Sequence, residues 1–319
     1  MGNLLNIKGL RVKIRSAETE FYAVDGIDLN IPNGGSHALV GESGCGKSIT
    51  AYSIMGLLPS AAEITDGEIL FDSADLSKKS DSEMQSIRGK RIGMIFQEPL
   101  SALDPVFTVY DQIKEAITLH ENIKSVELKK RVVALLKKMH IPDAQARLKN
   151  YPHQLSGGMR QRVMIASAIS LQPELLIADE PTTALDVTIQ LQILRLLREL
   201  KEESAMALFL ITHDLGVVSY TCEHVSVMYA GKIVERCLTK ELFNNPKHPY
   251  TKALLKSIPK GRAGGKKLET IKGMVPMLSK LPTGCRFSDR CEFVDDACRR
   301  EEPKLVEVKG GHYVACRKL

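Results

Sequence analysis

The chain contains no Trp, and Phe, Trp and Tyr together make up only 5% of its 319 residues. A surface that grips nucleic acid by stacking successive bases has little material to work with here. Long apolar runs are missing too: the longest, residues 175–178 and 205–211, are far too short to cross a bilayer. Residues 1–10 lack a basic stretch followed by an apolar core, so no secretory signal is expected and the chain is expected in the cytoplasm. In that compartment seven cysteines point to free thiols or metal ligands rather than disulfides. What remains is the balance of a globular protein, 44% hydrophobic and 26% charged. A net charge of +6 suits anionic ligands or a membrane surface.

Residues 24–31 (VDGIDLNI) alternate apolar and polar side chains and end at Pro32-Asn33-Gly34-Gly35, which predicts a half-buried strand leaving a turn. Residues 36–40 (SHALV) form a short apolar strand leading into Gly41-Glu42-Ser43-Gly44-Cys45-Gly46-Lys47-Ser48, followed by a helix over 49–58 that stops before Pro59. Further strands are expected at 67–71, 91–96, 175–178 and 207–211, with helices at about 80–89 and at 189–203. Residues 108–139 have helical spacing that places Ile113, Ile117, Val126, Val133 and Leu136 on one apolar side. Strands alternating with helices predict a mainly parallel α/β sheet, with a helical insertion near 105–165. After Pro259 the composition turns to Gly, Lys and Pro, marking a linker over 260–284 ahead of a small cysteine-bearing module.

Gly41 to Ser48 matches G-x-x-x-x-G-K-[ST] between a predicted strand and helix, where the mechanism requires it. The glycines let the backbone wrap so that successive N–H groups point at phosphate oxygens, and the following helix adds the positive end of its dipole. Lys47 is then placed to neutralise terminal phosphates and Ser48 to offer its hydroxyl to Mg²⁺. The strand 175–178 runs into Asp179 and Glu180. Buried parallel strands present ligands at their carboxyl ends, and adjacent strand residues point opposite ways, so the two acids can divide the work. Asp179 fits an Mg²⁺ partner and Glu180 a base that orients water against the γ-phosphate.

Leu155-Ser156-Gly157-Gly158-Met159-Arg160-Gln161-Arg162 precedes a helix expected over 163–170. Ser156 can cap it, and two glycines expose N–H groups at its positive end, making a second anion site on the same chain. One nucleotide does not need two such sites. Two copies facing head to tail would let each helix end close over the other's nucleotide.

These segments, with Gln97, Ala184-Leu185-Asp186 and His213 in order, resemble the ATP-binding-cassette ATPases. The resemblance implies a phosphate-loop NTPase cassette: a RecA-like parallel core, an N-terminal antiparallel β part and a helical insertion. By position it implies that Gln97 contacts Mg²⁺ and the attacking water. Ser156 and Gly158 would meet the partner's γ-phosphate, Asp186 would shape the opposed interface, and His213 would hold the γ-phosphate and Glu180. Ile49 follows the metal-binding hydroxyl where the family usually has a second hydroxyl residue. Tyr22 is the candidate for stacking on adenine, with Phe21 the runner-up and core packing open for either.

Within that family, residues 96–109 (FQEPLSALDPVFTV), 248–259 (HPYTKALLKSIP) and 281–291 (LPTGCRFSDRC) resemble the ATPase subunits of oligopeptide and dipeptide importers, a group that includes nickel importers. That implies a cassette over 1–258 and a C-terminal extension over 259–319, acting at the cytoplasmic face of the membrane. The implied partners are a second, related ATPase, two transmembrane permease subunits and an extracytoplasmic solute-binding protein, with no nucleic acid. A soluble cassette ATPase acting on ribosomes or DNA lacks support, since neither a second cassette nor a coiled-coil interruption is present. A degenerate cassette that only binds nucleotide is opposed by intact Lys47, Gln97, Glu180 and His213. Cys285, Cys291, Cys298 and Cys316 follow a C-x₅-C-x₆-C-x₁₇-C spacing, unlike the tight pairs of ordinary zinc modules. Zinc, a [4Fe–4S] cluster and free thiols all remain open on spacing, and the family resemblance favours the cluster. Cys222 and Cys237 read as buried or incidental. Cys45 lies in the phosphate loop, which suggests sensitivity to thiol reagents.

Overall fold

A computed structural model describes residues 2–16, 19–258 and 271–319. Its internal contacts divide the chain into two compact units, the first comprising 1–32, 36–78 and 210–319 and the second 33–35 and 79–209. Among the described residues no helix is long and apolar enough to cross a membrane.

The first unit contains an antiparallel sheet in which Asn3–Arg15 lies between Glu20–Pro32 and Ala62–Phe71, with Ala74–Asp75 at the edge. Leu5 opposes Ile31 and Ile7 opposes Leu29, and all four are buried, so the alternation seen in 24–31 sets the register. Glu20–Pro32 and Ala62–Phe71 both run longer than the apolar pattern alone predicts, because polar residues extend each ladder at its exposed end.

The second sheet of this unit is mixed. Ser36–Val40, buried throughout, pairs in parallel with His224–Tyr229. Lys232–Leu238 then pairs antiparallel with His224–Tyr229 and carries the C-terminal strands His312–Val314 and Val306–Lys309 in that order. The C-terminal module is therefore sewn onto the sheet rather than tethered to it. The expected linker is outside the described residues over 260–270, and 271–284 holds only turns and irregular backbone.

In the second unit Ile92–Ile95 pairs in parallel with Leu175–Asp179, all nine residues buried. The helical stretch expected over 108–139 is two helices, Val109–Thr118 and Ser125–Lys138. Thr108 caps the first, its hydroxyl accepting from the Asp111 N–H. The break at 119–124 resets the helical phase, so Leu128, Val132 and Leu136 are buried while Val126 is 72% exposed, against the expected single stripe. The signature helix, expected from 163, begins at Gly157 and runs to Ala168. Its N-cap is Ser156, so the two glycines fill the first turn, where backbone N–H groups have no helical partner. Helix Val187–Ser204 follows, buried along Ile193, Leu194, Leu196, Leu197 and Leu200.

Candidate active site

In the first unit strand Ser36–Val40 ends at Gly41 and helix Lys47–Met55 begins six residues later. The helix starts earlier than the apolar pattern predicts and stops at Gly56, which is left-handed, rather than at Pro59. Gly46 caps the helix at φ +109°, and a Cβ there would collide with the Ala23 carbonyl oxygen. A Cβ on Gly41 would collide with the Met228 carbonyl. The loop is thus pressed between two strands, and glycine is what lets it pass.

Lys47 is 5% exposed, and its ammonium donates to the carbonyls of Gly41 (2.8 Å) and Glu42 (3.0 Å), folded back over the loop. Ser43 and Gly44 are exposed at the loop's crest, and Ser48 and Ile49 lie half-buried on the first helical turn. Glu42 points elsewhere: its carboxylate pairs with Arg290 and its N–H donates to the Tyr250 hydroxyl. Cys45 is fully buried, and burial raises its thiol above the usual range despite the nearby Lys47. This runs against the expected thiol-reagent sensitivity, since reaction needs an accessible thiolate.

Tyr22 lies one residue before Ala23, on the strand packed against the loop, with Lys13 5.5 Å and Arg11 5.9 Å from its ring centroid. Phe21 is also half-buried. His213 is exposed directly after strand Ala207–Thr212, and Asp214 turns the chain into helix Leu215–Thr221 by accepting from the Gly216 N–H at 2.7 Å.

In the second unit strand Leu175–Asp179 delivers Asp179, fully buried, and then Glu180 at φ +45°. Glu180 Oε2 accepts from the Gln97 amide at 3.3 Å and from the Thr183 hydroxyl at 2.8 Å. Thr183 was not foreseen; it follows in the tight turn closed by its own N–H to the Glu180 carbonyl at 3.1 Å. That turn continues through Ala184 at φ +61° to Asp186, which caps helix Val187–Ser204 by accepting from the Ile189 N–H at 3.0 Å. The same helix touches the signature, because a Cβ on Gly158 would lie 2.9 Å from Ile189 Cγ2. Gln161 ties the signature helix to the acid turn, donating to the Pro181 carbonyl at 2.7 Å. Gln97, Glu180, Asp186, Ser156 and Gly158 therefore belong to one connected assembly.

The four tail cysteines line one cavity of about 20 Å³, whose wall also includes His248, Phe287 and Pro303 but no carboxylate. Burial, with a smaller contribution from the other three thiols, pushes the Cys285 thiol up to about 11. Among the described residues no three His, Cys, Asp or Glu side chains are grouped to hold a metal ion. A zinc ion with Zn–S bonds of about 2.3 Å would have to draw the thiols together.

Residues 24–183 match the family "ABC transporter" and residues 234–298 match "Oligopeptide/dipeptide transporter, C-terminal region". A probable peptide ABC transporter ATP-binding protein of Sinorhizobium fredii is 48% identical over 96% of this chain and 94% of its own length. The oligopeptide transport ATP-binding protein AppD of Bacillus subtilis is also 48% identical, over 99% of this chain and 97% of its own. Among solved structures, the dimeric bacterial ABC transporter cassette MJ0796 superposes with a TM-score of 0.67 at 29% identity, covering 74% of this chain and 98% of that one. A post-hydrolysis state of the same cassette, bound to ADP and phosphate, matches equally well. With these matches covering nearly the whole chain, it belongs to the ATP-binding proteins of the peptide ABC transporters.

Proposed function

We propose that this chain hydrolyses ATP to power import of oligopeptides or dipeptides through separate membrane-spanning subunits. The observation that carries the catalytic reading is the Glu180 carboxylate, aimed by two donors, Gln97 and Thr183, at the end of a buried strand. So held, Glu180 can take a proton from a water attacking the γ-phosphate. Lys47, steadied by the Gly41 and Glu42 carbonyls, turns its ammonium to the terminal phosphates, while the backbone of Ser43, Gly44, Cys45 and Gly46 cradles them with the first turn of Ser48 and Ile49. Ser48, Gln97 and Asp179 would each offer Mg²⁺ the oxygen donor a hard cation takes, and the ion would neutralise charge on the phosphates. His213 holds the γ-phosphate, and Tyr22 stacks on the adenine.

Ser156 and Gly158 cap a nucleotide held by a second ATPase subunit, related but not identical, and Asp186 shapes that interface. Residues 1–258, with the insertion at 105–165, act as the cassette and 259–319 as the extension. The subunit works at the cytoplasmic face of the membrane with two permease subunits and an extracytoplasmic solute-binding protein. The peptide class is supported by the relatives named for peptide transport and by the match at 234–298. Cys285, Cys291, Cys298 and Cys316, four soft donors around one cavity, would hold a [4Fe–4S] cluster. Such a cluster would staple a segment too small to hold its own core.

The test is Glu180→Gln in the assembled transporter. ATP binding is retained, hydrolysis falls by about 10²–10⁴-fold and peptide uptake into vesicles stops. Unchanged turnover overturns the catalytic assignment, and a chain that never co-purifies with membrane subunits overturns the transport assignment.

A further inference from the structure

Glu42 sits inside the phosphate loop, yet its polar groups are engaged by residues far along the chain. Arg290 forks onto its carboxylate, Nη1 to Oε2 at 2.6 Å and Nη2 to Oε1 at 3.0 Å. The Arg290 side chain is only 4% exposed. Its Nε donates to the Lys272 carbonyl at 3.1 Å, and its guanidinium carbon stands 5.8 Å from the Tyr229 ring centroid. A guanidinium fixed on several sides is a rigid fork, whereas a lysine there would offer a single mobile charge. From the other side Tyr250, fully buried, accepts the Glu42 N–H at 3.0 Å. Its ring meets Tyr229 edge-on at 4.7 Å and Phe287 at 5.4 Å, so the hydroxyl cannot wander.

Fixing Glu42 has a direct chemical consequence, because its carbonyl is one of the two that hold the Lys47 ammonium. Arg290 closes the short turn Ser288–Arg290, immediately ahead of Cys291. The cysteine-bearing segment thus reaches the phosphate loop through one side chain. A second arginine of the same segment, Arg286, donates to the Ala230 carbonyl at 2.6 Å, beside Gly231, whose N–H holds the Cys45 carbonyl at 2.9 Å.

We propose that Arg290 and Tyr250 are positioning residues for ATP binding: by gripping Glu42 from two sides they set the loop and, through it, Lys47 for the phosphates. The inference rests on the reading that residues 41–48 hold ATP, and its experiment separates the two. The full-length chain is titrated calorimetrically with MgATP as wild type, Arg290→Gln, Tyr250→Phe, Glu42→Gln and Glu42→Gln/Arg290→Gln, and KM and kcat are measured in the assembled transporter. Arg290→Gln weakens binding by about tenfold, a size typical of directly coupled residues. Tyr250→Phe, which keeps the ring and the fold, weakens it several-fold. The losses fall on KM with kcat kept, and Arg290→Gln costs nothing further once Glu42 is Gln. Wild-type affinity in both folded single variants, or an equal loss from Arg290→Gln in the Glu42→Gln background, overturns the inference while leaving the ATP reading intact. A wild-type chain that does not bind MgATP overturns both.

Discussion

Thr183 Oγ1 donates to Glu180 Oε2 at 2.8 Å, and the two residues belong to a single turn. The hydroxyl anchors one oxygen of the carboxylate and so sets the direction in which the group points. Glu180 itself sits at φ +45°, a backbone conformation costly for a non-glycine residue and one that the turn imposes.

Replacing Thr183 by Val, close in shape but without the donor, therefore separates aim from affinity. Hydrogen bonds to a charged acceptor contribute about 1.5–3 kcal/mol, so kcat should fall by roughly tenfold or more. The Kd for MgATP should stay at the wild-type value. Single-turnover ATPase assays alongside nucleotide titration check both halves.

Two buried imidazoles give the fold an acid limit. Burial drives His37 and His248 down to about 3, from an ordinary value of 6.5. His37 bridges the Asn30 carbonyl (3.0 Å) and the Ser226 hydroxyl (2.9 Å), and His248 Nδ1 accepts the Tyr250 N–H (3.1 Å), so both are built in as neutral rings. The folded pKa lies below the unfolded one, so the stabilisation is complete above pH 6.5 and is lost as pH falls toward 3. Each ring contributes a slope of up to about 1.4 kcal/mol per pH unit in that window. Urea midpoints measured between pH 7 and 5 should decline, and His37→Gln should make that decline shallower.

Gly46→Ala should be among the most damaging small changes in the chain. It adds a methyl where the Ala23 carbonyl stands and forces an L-residue to φ +109°. A cost of at least about 3 kcal/mol is expected, with loss of MgATP binding in whatever fraction still folds. Cys45→Ser, by contrast, should leave alkylation of the folded protein at the wild-type level, because that thiol is sealed from solvent. Mass spectrometry after iodoacetamide treatment reports the second outcome directly.

Protein purified without oxygen should carry about four irons and four acid-labile sulfides per chain if the tail thiols hold a cubane. Cys291→Ser should lower that content and reduce the melting temperature. Stoichiometric zinc with no sulfide would reassign the cavity, and metal-free protein of undiminished stability would mark the thiols as plain packing.

Local chemistry made part of this molecule readable in advance. The phosphate loop, the strand into Asp179 and Glu180, and the capping role of Ser156 are short-range patterns that a few adjacent residues specify, and the structure builds each of them. Val126 was misplaced because helical periodicity carries no information across a break, and six residues without helix between Thr118 and Ser125 are enough to rotate the next stripe. The parallel pairs expected are there, but the antiparallel edge was not legible, since nothing in the composition of Lys232–Leu238 or His312–Val314 states the direction of its neighbour. Arg290 and Tyr250 gave no signal at all. Each meets Glu42 across more than two hundred residues, and a pairing of that span is created only by the fold.

The first unit's mixed sheet ends at Val306–Lys309, a strand exposed at every residue. An open border of backbone donors and acceptors invites another polypeptide to zip alongside it. Here the border is four residues long and interrupted by Glu307 and Lys309, and the Glu307 carboxylate is turned back onto the Gly311 N–H at 2.7 Å. So brief and charged a margin offers a stray strand little to lengthen upon, and chains crowded together should be deterred from growing into fibres at this end.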